Sequence, residues 1–256
     1  MLSKNKQKLI QSLERKKIRE RENSFLVEGN KLVLEALKSG TRVRFLVATA
    51  SFIEQNSYLL NRADDVINVT EEELQKASLQ QSPQQAIAVM EIPVQNQDWL
   101  PLPNELSLAL DGIQDPGNMG TIIRIANWFG IKNIICSGNT VDCYNPKVVQ
   151  ASMGAIFRVD MHYCDLPKKL LKAKELEIEI FGTFLEGENI YAAELINNSI
   201  LVMGNEGNGI CPETEKLVNK KIHIPAFPPG STGSESLNVA TATAVCCAEF
   251  RRRLIP

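Results

Sequence analysis

Three glycine-rich loops hold most of the residues that could do chemistry in this chain of 256 residues. They are DPGNMG at residues 115–120, GNEGNG at 204–209 and AFPPGSTGSES at 226–236, and each contains Asn, Glu or Ser among its glycines. Glycine has no Cβ, so a ligand can approach the backbone closely. The loops therefore favour a ligand held by backbone amides and carbonyls, although glycines also serve tight turns.

The common nucleotide and metal motifs do not occur in the sequence. No loop matches GxGxxG or GxxxxGK[ST], which argues against a dinucleotide site or a Walker-type phosphate site. The six cysteines include no CxxC pair, and there are only two histidines. We therefore expect no metal and no disulfide framework, with the cysteines as small buried side chains in a reducing cytosol.

The loops follow predicted strands in a region where strands and helices alternate regularly. This region begins at Leu106, and the alternation predicts an open, mostly parallel sheet covered on both faces. Ligands bind at the carboxyl ends of parallel strands, so the three loops are expected to meet at one edge. The predicted strands are LSLALDGI, KNIICSG, RVDMHYC, IEIFGTFL, SILVMGNE and KKIHIPA, and the main helices are TIIRIANWFG, NPKVVQASMGAIF, LPKKLLKAKELE and the closing segment.

A separate small α/β sandwich is predicted before this region. Its predicted helices are KLIQSLERKKIRERE, NKLVLEALKSG and SYLLNRA, and its predicted strands are FLVEG, VRFLVAT and AIAVMEI. The following segment PVQNQDWLPLPNE carries three prolines and little periodicity, which is typical of a linker. We predict a first domain at residues 1–94, a linker at 95–105 and a second domain at 106–256.

The net charge of −2 conceals a gradient along the chain. Residues 1–44 carry twelve Lys and Arg against five Glu, a local charge of +7, which leaves −9 for the remainder. This basic segment is a candidate contact for phosphates, and a solvated helix face is the alternative that charge alone leaves open. The sequence has no apolar run that could span a bilayer and no apolar signal core, so we expect a soluble, unexported, cytoplasmic protein without membrane contact.

Three segments of the sequence stand out together: NMGTIIRIA (Asn118 to Ala126), MGNEGNGI (Met203 to Ile210) and ESLNVATA (Glu235 to Ala242). In this order they resemble the motifs of the SpoU (TrmH-type) branch of the SPOUT methyltransferases. NPKVVQASMGAIFRV resembles the family's segment between the first two motifs. FLVEGNKLVLEAL resembles the small RNA-substrate-binding domain of many members.

The resemblance implies S-adenosylmethionine-dependent methylation of a ribose 2′-hydroxyl in ribosomal or transfer RNA. It also implies a homodimer and a trefoil knot near the C-terminus, a topology that is nearly absent from other proteins. In such a knot the small residues of NVATATAVCCA would let the last helix pass close to an earlier loop and pack into the dimer. An Ala-rich buried helix would explain these small residues equally well.

By the same resemblance, Gly204, Ile224 and Leu237 would contact the cofactor through backbone groups and an apolar cleft for adenine. Thr183 is a further candidate for the same pocket. The alternatives are that Gly204 serves a plain turn and that Ile224 and Leu237 pack in the core, and the presence of all three motifs favours the cofactor interpretation.

The residues implied in catalysis are Arg124, Asn118, Glu206, Ser236 and Asn238. A guanidinium keeps its charge in proteins, so Arg124 would fix the ribose or its phosphate and stabilise the developing alkoxide rather than remove a proton. Glu206 would hold its glycine loop and orient Arg124 or Asn118. Ser236 and Asn238 would orient the substrate, although either could simply cap the final helix.

Two features depart from the family pattern. Position 125 is Ile where the family often has Thr, and the loop at residues 226–235 is longer than usual. The longer loop bears on which RNA is the substrate more than on the type of reaction. Two alternatives remain: an RNA-binding protein of this fold that transfers no methyl group, and a guanine base methyltransferase of a related branch.

Overall fold

The computed structural model describes residues 2–96, 99–100, 104–228 and 236–254. Helices and strands alternate through most of this length. In chain order they are α1 (Lys4–Ser12), α2 (Lys16–Glu22), β1 (Ser24–Glu28), α3 (Asn30–Lys38), β2 (Val43–Thr49), α4 (Ala50–Gln55), β3 (Val66–Val69), α5 (Glu71–Ala77), β4 (Ala86–Glu91), β5 (Leu106–Asp111), α6 (Pro116–Trp128), β6 (Asn133–Ser137), α7 (Pro146–Ser152), β7 (Asp160–Cys164), α8 (Leu166–Glu175), β8 (Glu179–Asn189), β9 (Ser199–Gly204), α9 (Pro212–Glu215), β10 (Lys220–His223) and α10 (Val239–Arg252), with 3₁₀ helices at Ser57–Arg62 and Ala155–Phe157.

Two units divide this chain. The first comprises Met1–Val94 and Asp142–Arg158, and the second comprises Gln95–Val141 and Val159–Pro256. The division differs from the expected run of continuous domains, because Asp142–Arg158 lies within the predicted second domain in sequence and packs in the first unit. Its apolar side chains explain this: Val149 is part of that unit's core.

The first unit is built on a four-stranded sheet in the order β1-β4-β2-β3. Strand β4 is antiparallel to both β1 and β2, and β3 is parallel to β2. Apolar clusters cover both faces, one including Val33 of α3 and the other including Ile10 of α1 and Leu74 of α5. The small α/β sandwich is present, and it contains β3, α4 and α5, three short elements that the sequence pattern did not reveal.

The first predicted helix is two helices, α1 and α2. The chain breaks between them because Leu13 turns into the core, where it is fully buried. The guanidinium of Arg19 then donates through Nη1 to the carbonyl oxygens of Leu13 (2.8 Å) and Glu14 (2.7 Å), which follow the end of α1. Its Nε donates to Asp142 Oδ2 over 2.9 Å, and the Arg19 side chain is only 2% exposed.

Asp142–Arg158 therefore completes the first unit. The ring of Tyr144 lies 4.6 Å from that of Phe25 in β1, measured between centroids. Phe157 packs against the same core, and Arg158 pairs with Glu35 of α3. An ion pair, a ring contact and apolar burial together fix the segment in this unit.

The second unit is a six-stranded sheet in the order β10-β8-β9-β5-β6-β7. Every adjacent pair is parallel, which confirms the predicted sheet. The central strands β5 and β9 are buried along their whole length, as expected for a sheet covered on both faces. At the β10 edge the register jumps, so that Lys221 faces Gly182 while Ile222 faces Glu188. The intervening residues 183–187 of β8 form a bulge.

The described part of the predicted linker is held against the second unit by an aromatic stack. The Trp99 indole lies 4.1 Å from the His162 imidazole, with 10° between the ring planes. Lys169 Nζ donates to the Trp99 carbonyl over 2.6 Å, and Asn133 Oδ1 lies 3.0 Å from His162 Nε2. Burial lowers the pKa of His162 below its ordinary value of 6.5, outweighing the opposite effect of Asp160.

We expect this stack to weaken in acid. Below pH 6.5 the unfolded His162 takes up a proton while the folded, buried ring with its lowered pKa resists protonation. The stabilisation is therefore complete above that pH and declines as pH falls toward the folded pKa. Urea unfolding at several pH values measures the free energy of unfolding. Between about pH 8 and about pH 5.5, this free energy should fall more steeply for the wild type than for His162→Gln. Identical pH dependence of the two proteins would contradict this expectation.

Among the described residues, no helix combines the length and apolar composition needed to cross a bilayer.

Candidate active site

The candidate site lies where β5 and β9 end. These parallel strands are adjacent, with Asp111 opposite Gly204, so the loops that follow them start side by side. The loop after β5 leads into α6, which Asp115 caps by accepting from Asn118 N over 2.7 Å, with Pro116 at the first turn. The short segment DPGN thus sets the direction of α6 and the position of Asn118.

The loop after β9 is a tight turn closed by backbone hydrogen bonds. Asn205 and Gly209 exchange N–H···O bonds of 2.9 and 3.0 Å. A Cβ at position 204 would lie 2.3 Å from the Gly209 carbonyl carbon and 2.4 Å from Ile210 N, a separation that real atoms do not tolerate. Gly204 is therefore required by the turn itself, and its contact with a cofactor remains a prediction.

Glu206 links this turn to the loop after β5. Its Oε1 accepts from Asn118 Nδ2 over 3.0 Å. The backbone N–H groups of Gln114 and Asp115 point at the same carboxylate, each over 3.4 Å. Of the two partners predicted for Glu206, Asn118 is the one that it contacts.

Asn238 brings the start of α10 into the same network. Its Nδ2 donates to Asn118 Oδ1 over 2.9 Å. Its own Oδ1 caps α10 by accepting from Ala240 N and Thr241 N at 3.0 and 3.2 Å. Asn238 is thus both a helix cap and a partner of Asn118. Three predicted site residues, one from each motif, form the continuous chain Glu206–Asn118–Asn238.

Two other predicted site residues stand outside this chain. Arg124 lies six residues beyond Asn118 on α6, about 9 Å further along the axis, and is exposed. Ser236 is exposed just before α10. Neither forms a hydrogen bond or an ion pair with any residue in the described ranges, so both side chains are free to meet a ligand.

The predicted cofactor residues lie on or next to neighbouring strands in the order β10-β8-β9, apart from Leu237, which precedes α10. Thr183 Oγ1 donates to the Val202 carbonyl over 3.3 Å where β8 leaves β9. Ile224 is half-buried directly after β10, and Leu237, before α10, is 50% exposed. Strand-end backbone groups and uncovered apolar side chains suit a nucleoside, whose base is flat and apolar with polar edges. These residues fit S-adenosylmethionine.

Sequence reasoning missed two polar residues in these loops. Asn205 Nδ2 donates to the Gly112 carbonyl over 2.7 Å, and Asp111 Oδ2 accepts from Cys211 N over 2.9 Å. The Asn-x-Gly spacing at 205–207 is typical of a side chain that caps its own turn, and this signal could have identified Asn205. Within the described ranges, no three His, Cys, Asp or Glu side chains are grouped to hold a metal ion.

Comparison with known proteins agrees with the resemblance stated for each of the two halves of the sequence. Residues 105–248 match the model of the SpoU rRNA Methylase family, and residues 4–88 match the MRM3-like substrate binding domain. The 23S rRNA (guanosine(2553)-2′-O)-methyltransferase RlmP of Bacillus subtilis (strain 168) is 30% identical over 241 residues, which is 93% of each chain.

Two solved structures are similar to this chain over nearly its full length. A protein assigned to the TrmH family of RNA methyltransferases, from Porphyromonas gingivalis, is 41% identical with a TM-score of 0.89 and covers 99% of both chains. An AdoMet-bound rRNA methyltransferase from Sinorhizobium meliloti is 30% identical with a TM-score of 0.88, over 100% of this chain and 97% of that one. With more than half of its length matched by the family model, this chain belongs to the SpoU rRNA methylase family.

Proposed function

We propose that this protein transfers the methyl group of S-adenosylmethionine to the 2′-hydroxyl of a ribose in ribosomal RNA. The observation that carries this proposal is the Glu206–Asn118–Asn238 chain, which joins all three family motifs at the carboxyl edge of a parallel sheet. The relative from B. subtilis acts on 23S rRNA, which favours ribosomal over transfer RNA.

The polar residues of the site orient the ribose. Asn118 uses one N–H on Glu206 and its oxygen on Asn238, so its second amide N–H is available for a substrate oxygen. Arg124 is the uncommitted cation of α6. It holds the ribose or the adjoining phosphate and stabilises negative charge as the 2′-hydroxyl loses its proton. Ser236 offers a hydroxyl beside the same ribose.

The cofactor is held beside these groups by Gly204, Ile224, Leu237 and Thr183. When bound, S-adenosylmethionine supplies an electrophilic methyl group. Ile224 and Leu237 would cover the adenine, and the backbone of the turn after β9, which requires glycine at position 204, would meet its polar edges. Thr183 would border the pocket from within β8, at the point where this strand leaves β9.

A direct assay tests the reaction. Purified protein is incubated with labelled S-adenosylmethionine and total RNA from cells that lack the protein, and the digested nucleosides are analysed by mass. A new 2′-O-methylnucleoside is the expected product. A methyl group on guanine would contradict the proposal in favour of a base methyltransferase. Cofactor binding without any transfer would contradict it in favour of an RNA-binding protein.

Helix α1 is the candidate site of RNA recruitment in the first unit. Lys4 and Lys8 are one turn apart and exposed, and neither is paired with an acidic residue in the described ranges. By contrast, Lys6 between them pairs with Asp65. Unpaired cations on one helix face can release counterions from the RNA backbone.

Replacing Lys4 and Lys8 together by Glu should weaken RNA binding and lower its salt dependence. Removing two phosphate contacts reduces the slope of log K against log salt by about 1.5. Filter binding at several salt concentrations measures both quantities. The double variant Lys172→Glu, Lys216→Glu makes the same charge change at exposed, unpaired positions of the second unit. If RNA affinity falls by the same factor in the two double variants, α1 has no special role in recruiting RNA.

The homodimer expected from the resemblance finds support on α6 and α10. Trp128, at the end of α6, is 83% exposed. On α10, which packs against α6, one stripe of small residues is not buried: Thr241, Ala244, Val245 and Ala248. A large exposed aromatic beside an uncovered stripe suits a second copy of the chain, because aromatic residues anchor interfaces.

Trp128→Arg should therefore separate the subunits. Loss of such an anchor costs about 2 kcal/mol or more, a dimer weaker by about 30-fold. Light scattering after gel filtration measures the mass across a dilution series. Leu171→Arg, which alters another exposed apolar side chain, is the matched control. A Trp128→Arg protein with wild-type mass at every dilution would rule this interface out.

The trefoil knot and the cytoplasmic location stay predictions. The trefoil knot depends on the path between β10 and α10, which includes residues 229–235 outside the described ranges. Part of the longer loop at 226–235 falls there as well. A cytoplasmic location accords with an rRNA substrate and with six cysteines that form no disulfide.

A further inference from the structure

The backbone of Gly112 is held on both sides of its Cα. Its N–H donates to Ser137 Oγ, at the end of β6, over 2.8 Å and lies 3.2 Å from Thr140 Oγ1, in the segment after β6. Its carbonyl accepts from Asn205 Nδ2 over 2.7 Å. Gly112 has φ of +75°, a region that favours glycine, so the chain turns sharply at this point.

The same Asn205 side chain also shapes the turn after β9. Its Oδ1 accepts from Gly207 N over 2.9 Å and from Asn208 N over 3.0 Å. One amide group therefore ties together the two loops that follow β5 and β9. Its oxygen folds its own loop, and its nitrogen anchors the neighbouring loop at Gly112 and also lies 3.5 Å from Glu206 Oε2.

The residues on either side of these anchors are the ones that meet in the site. Glu206 directly follows Asn205, and the Gln114 and Asp115 N–H groups come two and three residues after Gly112. Both N–H···O separations to Glu206 are 3.4 Å, so a small displacement of either loop would break them. The alignment of Glu206 with Asn118 depends on the same two loops.

We propose that Asn205 is a positioning residue: through its Nδ2–H bond to Gly112 it sets the distance between Glu206 and the loop after β5, and so the orientation of Asn118. This inference rests on the proposed function. Asn205 acts through Glu206 and Asn118 rather than on the ribose itself.

The variant Asn205→Asp separates the two halves of the side chain. Aspartate keeps an oxygen for Gly207 N and Asn208 N, so the turn after β9 is retained. It replaces the donor toward Gly112 by a second oxygen, which places two acceptors against each other. The loop after β5 should move away from Glu206 while β9 and its turn stay folded.

The matched control is Asn208→Asp. It introduces the same charge into the same loop at an exposed side chain that makes no hydrogen bond with the described residues. We expect Asn205→Asp to lower kcat about tenfold or more, while KM for RNA and the Kd for S-adenosylmethionine change less than about threefold. Asn208→Asp should retain wild-type kcat. Wild-type kcat in Asn205→Asp, or an equal loss in both variants, would overturn the inference.

Hydrogen exchange supplies a readout that needs no turnover. The amides of Gln114, Asp115 and Asn118 should exchange faster in Asn205→Asp than in Asn208→Asp, because they lose their fixed position. Unchanged exchange in Asn205→Asp would overturn the inference whatever the activity. A wild-type protein that transfers no methyl group would count against the proposed function alone, since the exchange comparison still decides the positioning role.

Discussion

Replacing Arg124 by Ala is expected to lower the rate of methyl transfer by about 10²–10³-fold. The guanidinium is exposed on α6 and is bound to no described residue, so its charge is available for the alkoxide that develops on the ribose. The proposed cofactor residues lie on β8, at the end of β9, after β10 and before α10 rather than on α6, so S-adenosylmethionine affinity should stay close to that of the wild type.

Single-turnover assays with labelled cofactor measure the rate, and calorimetry measures cofactor binding. Arg124→Lys is the matched variant, because it keeps the positive charge and loses the planar fork; an intermediate rate is expected. Wild-type turnover in Arg124→Ala would refute the role of this side chain. If cofactor binding and turnover are lost together, the Arg124 side chain binds the cofactor instead of the ribose.

Asp142→Ala is expected to destabilise the first unit by about 3 kcal/mol or more, because it leaves a buried guanidinium without its counter-ion. The Arg19 side chain is 2% exposed and also binds the carbonyls of Leu13 and Glu14, so it cannot turn to water without disturbing the end of α1. Both tryptophans, Trp99 and Trp128, belong to the second unit, so their fluorescence would not report this loss directly.

Hydrogen exchange of β1 and β2 in increasing urea gives the free energy of opening of the first unit. Glu20→Ala is the control, since its pairing with Lys16 at 3.9 Å is exposed and should contribute no more than about 0.5 kcal/mol. The double variant Arg19→Met, Asp142→Leu should recover much of the loss by replacing both charges with apolar groups. If Asp142→Ala lowers the free energy of opening by no more than the control does, Arg19 has found another partner for its charge.

Much of the candidate site could be predicted from the sequence because parallel strands end at a common edge. That rule places GNEGNG next to DPGNMG, and the structure joins them through Glu206 and Asn118. It could not separate capping from substrate contact at Asn238, because one amide oxygen caps the helix while the amide nitrogen binds Asn118. Nor does it point to the bond from Asn205 to Gly112, which spans 93 residues, although the local Asn-x-Gly spacing is a signal for the Asn205 side chain itself.

The fold was predictable where apolar runs are long and bounded by turn residues. VRFLVAT, for example, is strand β2, residue for residue. Periodicity failed at α1 and α2, because the helical pattern continues through Leu13 while tertiary contacts of Leu13 and Arg19 interrupt the helix. It failed again at β3, a four-residue strand that pairing with β2 stabilises and that is too short to show a period.

The return of the chain to the first unit at Asp142–Arg158 limits how this protein can be rebuilt or recombined. Exchanging residues 1–94 for a different domain would expose Tyr144, Val149 and Phe157, whose apolar side chains pack in the core that is removed. The exposed segment would then favour aggregation. A gene fusion that respects the fold must carry this segment along with the first unit, so any swap involves two separate stretches of sequence. The first unit is therefore complete only with a segment of the sequence that matches the SpoU rRNA Methylase family.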